Sequence, residues 1–151
     1  MKDRADYVAI SFDYNYYQAT GLIEDDWADT KLTKFCSGRK RFIRQLIDEG
    51  YWCWEKPHHL LGCSLAREFK YYVDNNIYNI KSVDTSNPIV AGIQGYRYND
   101  NMGLHHKPST LLANLIDHKV TDEQLKDIMY NTTMFKKIIN RHLTLGHAIS
   151  L

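Results

Sequence analysis

The chain has 151 residues, 44% of them hydrophobic, with 19 lysines and arginines against 18 aspartates and glutamates. This composition predicts one folded domain over residues 1–151 and excludes a disordered or low-complexity chain. No apolar run is long enough to span a bilayer, and no apolar segment of a secretory signal follows the charged start, so we expect no membrane association. Three cysteines without an export signal favour reduced thiols and a cytoplasmic location.

Strands and helices alternate in the first half of the chain. Residues 7–12 are β-branched and aromatic, which predicts a buried strand. Apolar residues recur at helical spacing over 30–49, with Gly50 as the C-cap and Ser37–Gly38 as the point where two helices would separate. The later segments predict an extended stretch over 57–65, a short helix over 66–74 and a polar connection over 75–87.

The second half has a similar order. Residues 88–98 predict a strand in which two glycines indicate a bulge, and Ser109 or Thr110 can begin a helix that reaches Asp117. Thr121–Gln124 has capping-box spacing and predicts a helix to about residue 130, while 141–149 fits a strand or a helix. We therefore expect a single α+β domain. A pseudo-repeat of 6–66 and 87–151 would form two βαβ-like lobes around a central cleft.

Histidines carry the clearest chemical signal in the sequence. Six of the seven lie in three close pairs, which are His58 with His59, His105 with His106, and His142 with His147. Aligning residues 57–62 with 141–146 matches His58 to His142 and Gly62 to Gly146, as a duplicated site would. The second segment reads His142-Leu143-Thr144-Leu145, which is histidine, any residue, threonine and a hydrophobic residue.

This motif resembles the signature of the two-histidine (2H) phosphoesterases. The resemblance implies two lobes that each present one motif from a central strand, and a phosphodiesterase that uses no metal or other cofactor. It implies His58 and His142 as general acid and base and Thr144 as a phosphate ligand. The implied substrates are RNA ends or short or cyclic nucleotides. The first motif departs from the family at Leu60, where a hydroxyl residue is expected.

The chemistry of such a site follows from strand geometry and from the imidazole ring. Residues i and i+2 of a strand point to the same side, so a histidine and a threonine at this spacing would line one cleft. One imidazole would deprotonate an attacking water while the other protonates the leaving oxygen. Imidazole titrates near neutral pH, so the two rings can hold opposite protonation states.

Other residues predict contacts with a nucleotide. Arg97 and Lys107 are candidate phosphate ligands, and Tyr96 is a candidate surface on which a base would stack. One face of the 30–49 helix is basic, and it fits either a solvated surface or an anion-binding surface; its residues are Arg39, Lys40, Arg41 and Arg44.

Two alternatives compete with the phosphodiesterase. Ligand types suited to zinc occur at Cys53, His58, His59 and Cys63, although adjacent histidines on a strand point apart, so we predict no metal site. The second alternative is a non-catalytic protein that binds another protein or a nucleic acid through its aromatic and arginine-rich surfaces. The incomplete first motif favours this alternative, and the sequence leaves the oligomeric state open.

Overall fold

Three short parallel strands lie at the centre of the computed structural model, which describes residues 5–22, 31–99, 112–115 and 117–148. The strands β1 (Val8–Ile10), β2 (His58–Leu60) and β3 (Ile80–Val83) are neighbours in chain order. Parallel neighbours require a crossover connection, and helices supply it between each pair of strands. The chain is a single compact body of mixed α and β structure, so the predicted fold class is confirmed.

Five α-helices and one 3₁₀ turn accompany the strands in the part of the chain that the structure describes. They are α1 (Tyr14–Ala19), α2 (Lys31–Asp48), α3 (Glu68–Asp74), α4 (Asn87–Ile93), the 3₁₀ turn Leu112–Leu115 and α5 (Asp122–Ala148). The helix α2 is continuous through Ser37–Gly38, where the sequence indicated a break. Gly50 adopts a left-handed φ of 74° just after α2, as predicted for its C-cap. None of these helices is long and apolar enough to cross a membrane.

Among the described residues, the fully buried side chains of the strands lie on one face of the sheet. Ile10, Leu60 and Ile80 point into a core built with Ile43 of α2 and Phe69 of α3. The opposite face, here called the open face, carries the exposed Ala9 together with the half-buried His59 and Ser82, which lie opposite one another across the three strands. Parallel sheets usually have both faces covered, so a polar open face is a site where a ligand can approach the strands.

The segments after residue 75 differ most from the predictions. The predicted polar connection contains β3, and the predicted strand over 88–98 begins with the helix α4. Pro88 lies in the first turn of α4, where its missing N–H breaks no helical hydrogen bond. A Cβ built on Gly92 would come within 2.6 Å of Ile128 in α5. The glycine that suggested a bulge therefore allows two helices to touch.

The C-terminal segment forms one long helix. Thr121 and Gln124 form the predicted capping box, because the Gln124 amide donates to Thr121 Oγ1 at 3.2 Å and the Thr121 amide donates to Gln124 Oε1 at 3.0 Å. The helix α5 then continues to Ala148, well beyond the predicted end near 130. Ser109 and Thr110 lie outside the described residues. Helices thus stand where a second βαβ-like lobe needs strands.

Candidate functional site

His58 is a core side chain. It is 1% exposed, and its ring stacks on Trp52 with 3.9 Å between centroids. Its Nδ1 lies 3.0 Å from the Lys56 carbonyl and 3.1 Å from Asn79 Nδ2. Burial lowers the pKa of His58, which outweighs the opposing effect of the Lys56 hydrogen bond. The ring is therefore packed against Trp52 inside the fold, where the lowered pKa favours its neutral form, and its role as general acid or base stays a prediction.

The lowered pKa of His58 predicts an acid-sensitive contribution to stability. His58 binds a proton more readily in the unfolded chain than in the folded chain. Its contribution to the free energy of unfolding is therefore complete above the unfolded pKa of about 6.5 and declines as the pH falls below that value. We expect the difference in unfolding free energy between the wild type and His58→Gln to shrink from pH 7.5 to pH 5, as measured by urea denaturation. His118→Gln, at an exposed histidine, is the control. A difference that stays constant with pH would contradict this interpretation.

The second motif lies on a helix. His142 and Thr144 fall within α5, where positions i and i+2 are about 200° apart around the axis. The strand arrangement that would direct both residues into one cleft is therefore absent from this segment. Their side chains, and the whole of Lys107, lie outside the described residues.

The structure places Arg97 and Tyr96 beside α5. Arg97 Nε donates to Asp127 Oδ1 at 2.6 Å, and its guanidinium lies 5.3 Å from the centre of the Tyr130 ring. Tyr96 is 50% exposed. Arg97 already has a carboxylate partner, so a phosphate would have to compete with Asp127 for its guanidinium. Arg97 and Tyr96 remain candidates for ligand contact only.

The four candidate zinc ligands do not gather around one point. As predicted, the adjacent histidines face opposite sides of the sheet, His58 in the core and His59 on the open face. Cys63 is buried 3.7 Å from Glu68, and burial raises the pKa of its thiol well above the usual value. Within the described residues, no three histidine, cysteine or acidic side chains are grouped so that they could hold a metal ion.

A chain of four polar side chains crosses the open face, and we call it the open-face chain. The Tyr7 hydroxyl lies 2.9 Å from Ser82 Oγ, which lies 2.7 Å from His59 Nδ1. On the other side of the ring, His59 Nε2 lies 3.0 Å from Asp84 Oδ1. An ionised carboxylate only accepts hydrogen bonds, so with a neutral ring Nε2–H donates to Asp84 and Nδ1 accepts from the Ser82 hydroxyl. This arrangement places a base next to a serine.

An irregularity in β3 brings Ser82 to His59. The sheet pairs His58 with Ile80 but His59 with Ser82, so Lys81 is an extra residue in β3. Regular pairing would set Lys81 opposite His59 and turn Ser82 toward the core, because successive strand residues face opposite sides. The bulge places Ser82 on the open face, and bulges of this kind occur frequently beside active sites.

Backbone hydrogen bonds hold Asp84 at the carboxyl end of the sheet. The Gly62 amide donates to Asp84 Oδ1 at 3.1 Å, and the Cys63 amide donates to the Asp84 carbonyl at 2.8 Å. Gly62 has a left-handed φ of 62°, which glycine adopts without the strain that a side chain would add. In open parallel sheets, ligands bind at the carboxyl ends of the strands. Asp84 and the loop after β2 occupy that position.

A buried ion pair supports the loop after β2. Arg39 donates to both carboxylate oxygens of Glu68 at 2.7 Å, and both side chains are fully buried. The third guanidinium nitrogen donates to the Leu61 carbonyl at 2.6 Å, next to Gly62, and Tyr72 donates its hydroxyl to Glu68. Arg39 was predicted on the basic surface of α2. It lies in the core instead, because its charge is neutralised by a carboxylate on α3.

Ser82 and Asp84 were not predicted from the sequence. Both lie in the segment interpreted as a polar connection, and His59 was considered only as a metal ligand. The sequence does contain a signal for the strand β3, because Ile80 and Val83 are β-branched and the segment that they enclose is bounded by polar residues, as a short strand would be. The hydroxyl and carboxyl residues that follow such a strand are candidates for a site.

Comparisons with known proteins show no family for this chain. No protein-family model, curated protein or solved structure matches the chain. The resemblance of the His142 motif to two-histidine phosphoesterases stays a prediction that rests on four residues.

Proposed function

We propose that the chain is a hydrolase that cleaves an uncharged carboxylic ester through a nucleophilic serine. Ser82 is the nucleophile, His59 is the general base and Asp84 orients the imidazole. The observation that supports this proposal is the 2.7 Å approach of Ser82 Oγ to His59 Nδ1, with Asp84 hydrogen-bonded to the other ring nitrogen. The side chain of His59 is 24% exposed and that of Asp84 is 60% exposed, so a substrate can approach both.

The reaction would proceed in two steps at Ser82. In the first step, Ser82 Oγ attacks the ester carbon and its proton passes to His59 Nδ1, while the Tyr7 hydroxyl donates a hydrogen bond to the developing oxyanion. The ester C–O bond then breaks, and the imidazolium returns the proton to the leaving alcohol. In the second step, water attacks the acyl-serine with His59 again as base, which releases the carboxylic acid and restores Ser82.

The charge of the open-face chain favours a neutral substrate. Of its four members, only Asp84 is negatively charged and none is a lysine or an arginine. A phosphodiester would bring a further negative charge next to the Asp84 carboxylate. None of the four side chains of the open-face chain is a lysine or an arginine that could offset the repulsion between these two negative charges. The phosphodiesterase inferred from the sequence therefore ranks second to an esterase.

Hydrolysis of p-nitrophenyl acetate tests this proposal. We expect the folded wild type to release p-nitrophenol faster than the heat-unfolded chain does. His59→Gln should lower that rate by about 10²–10⁴-fold, which is the usual contribution of general acid–base catalysis. His118→Gln is the matched control and should retain the wild-type rate. Equal rates for the wild type and His59→Gln would refute the esterase and favour a non-catalytic binding protein.

A further inference from the structure

A cavity lies between β1, the end of α2 and the chain that leads into β2. Its volume is about 350 Å³, near the lower end of the range of about 300–1,000 Å³ that small-molecule sites occupy. Its walls are mainly aliphatic and aromatic and include Tyr7, Val8, Leu46, Tyr51 and Trp52. The cavity therefore has the size and the walls of a site for a small organic molecule.

The described part of the cavity wall carries no charge. No lysine, arginine, aspartate or glutamate occurs among the described residues that line it. Its polar side chains are the tyrosines Tyr7 and Tyr51, the thiol of Cys53 and the imidazole of His58. A charged ligand would lose hydration there without gaining an opposite charge, so this wall favours an uncharged ligand.

The hydrogen bonds of Asn79 determine which nitrogen of the His58 ring carries the proton. Asn79 Oδ1 accepts from Trp52 Nε1 at 3.1 Å, so Asn79 Nδ2 is the donor end of the amide. Its two hydrogens have acceptors in the carbonyls of Cys53 at 2.9 Å and Lys56 at 3.0 Å. His58 Nδ1 lies 3.0 Å from the same Lys56 carbonyl, and it is then a donor to that oxygen. In the neutral ring, Nε2 is left as an acceptor.

His58 Nε2 has no hydrogen-bond partner among the described residues. Both polar contacts of the ring are at Nδ1, to Lys56 and Asn79. The residue is 1% exposed, and it lines the cavity. A buried acceptor without a donor costs free energy, which a ligand recovers when it supplies the missing hydrogen bond. The cavity therefore favours a ligand with an N–H or O–H group.

We propose that this cavity binds a small uncharged aromatic molecule whose N–H or O–H group donates to His58 Nε2. The ring of the ligand would pack against Tyr51 and Trp52, because aromatic pairs stabilise a contact beyond the apolar area that they bury. Of the open-face chain, only Tyr7 lines the cavity, and binding here involves no step at Ser82. The proposal is therefore independent of the esterase.

Isothermal titration calorimetry with indole and with benzothiophene tests this proposal. The two bicyclic rings are similar in shape, but only indole has an N–H donor. His58→Phe keeps an aromatic ring beside Trp52 and removes the acceptor. The ratio of the indole affinity to the benzothiophene affinity should therefore fall about 2- to 10-fold in His58→Phe, which is the usual value of one hydrogen bond. His118→Gln, at an exposed histidine, is the control and should keep the wild-type ratio.

NMR of the ¹⁵N-labelled wild type detects the same hydrogen bond without a variant. Indole should move the resonance of His58 Nε2 upfield, as donation to an unprotonated imidazole nitrogen does, and benzothiophene should not. This measurement decides the role of Nε2 even where His58→Phe does not fold.

Alkylation of Cys53 tests the location of the ligand. Cys53 lines the cavity and is half-buried, whereas Cys36 and Cys63 are buried. Saturating indole should slow the reaction of Cys53 with N-ethylmaleimide, as followed by peptide mass spectrometry, because it covers the thiol. The absence of indole binding, an Nε2 resonance that indole leaves unmoved, an affinity ratio unchanged in a folded His58→Phe, or unslowed alkylation of Cys53 would each overturn the proposal.

Discussion

Replacement of Glu68 by alanine is expected to lower the free energy of unfolding by about 3–5 kcal/mol. The substitution leaves the Arg39 guanidinium fully buried without a charged partner, and the Tyr72 hydroxyl loses its acceptor. Removing one member of a buried ion pair is far more costly than the pair itself is stabilising, because the remaining charge stays desolvated. Urea denaturation monitored by tryptophan fluorescence measures the effect.

The control for Glu68→Ala removes both charges at once. Arg39→Met combined with Glu68→Leu leaves no buried charge, so the double variant should be more stable than Glu68→Ala alone. Asp48→Ala breaks the exposed pair with Arg44 and should cost no more than about 1 kcal/mol. A loss below about 1 kcal/mol in Glu68→Ala would show that the pair does not hold the loop after β2.

Replacement of Ser82 by alanine should reduce ester hydrolysis to the rate of the heat-unfolded chain. Loss of a serine nucleophile from a working triad costs on the order of 10⁴-fold or more, because the remaining groups have no atom to acylate. Initial rates with p-nitrophenyl acetate measure the loss, and Ser64→Ala is the matched control at the same end of the sheet. Ser64 Oγ bonds only weakly to the Gly62 carbonyl at 3.4 Å, so its removal should leave the rate unchanged.

Thermal unfolding distinguishes a chemical role of Ser82 from a structural one. Alanine deletes one hydroxyl from a half-buried position, so the Tm of Ser82→Ala should stay within a few degrees of the wild type. A variant that keeps its rate per folded molecule but melts at a much lower temperature would assign the hydrogen bonds of Ser82 to stability and not to catalysis.

Elements with a strong local pattern were predictable from the sequence. The helix α2 has apolar residues at helical spacing and a C-cap glycine, and β1 lies within the segment 7–12, which is rich in β-branched and aromatic residues. The strand β3 was not predicted because its bulge at Lys81 interrupts the alternation. The helix α4 was not predicted because its helical form depends on contact with α5 through Gly92, which a local pattern cannot show.

The site depends on contacts between residues that are distant in sequence. His59 is 23 residues from Ser82 and 25 from Asp84, and parallel strand pairing brings them together. Arg39 is separated from Glu68 by 29 residues, so its burial could not be inferred from the basic run in which it lies. The extended stretch predicted over 57–65 correctly placed His58 on a strand, but only its packing against Trp52 shows that it faces the core.

Covalent labelling of Ser82 tests the proposed reactive site most directly, because it requires no knowledge of the natural substrate. An alkyl fluorophosphonate should form an O–P bond with Ser82 Oγ and lose fluoride, while His59 takes the serine proton. Peptide mass spectrometry should locate the adduct on Ser82 in the wild type, and the adduct should be absent from His59→Gln. Failure to label the folded wild type, or labelling of Ser82 that persists undiminished in His59→Gln, would contradict the assignment of His59 and Ser82 as base and nucleophile.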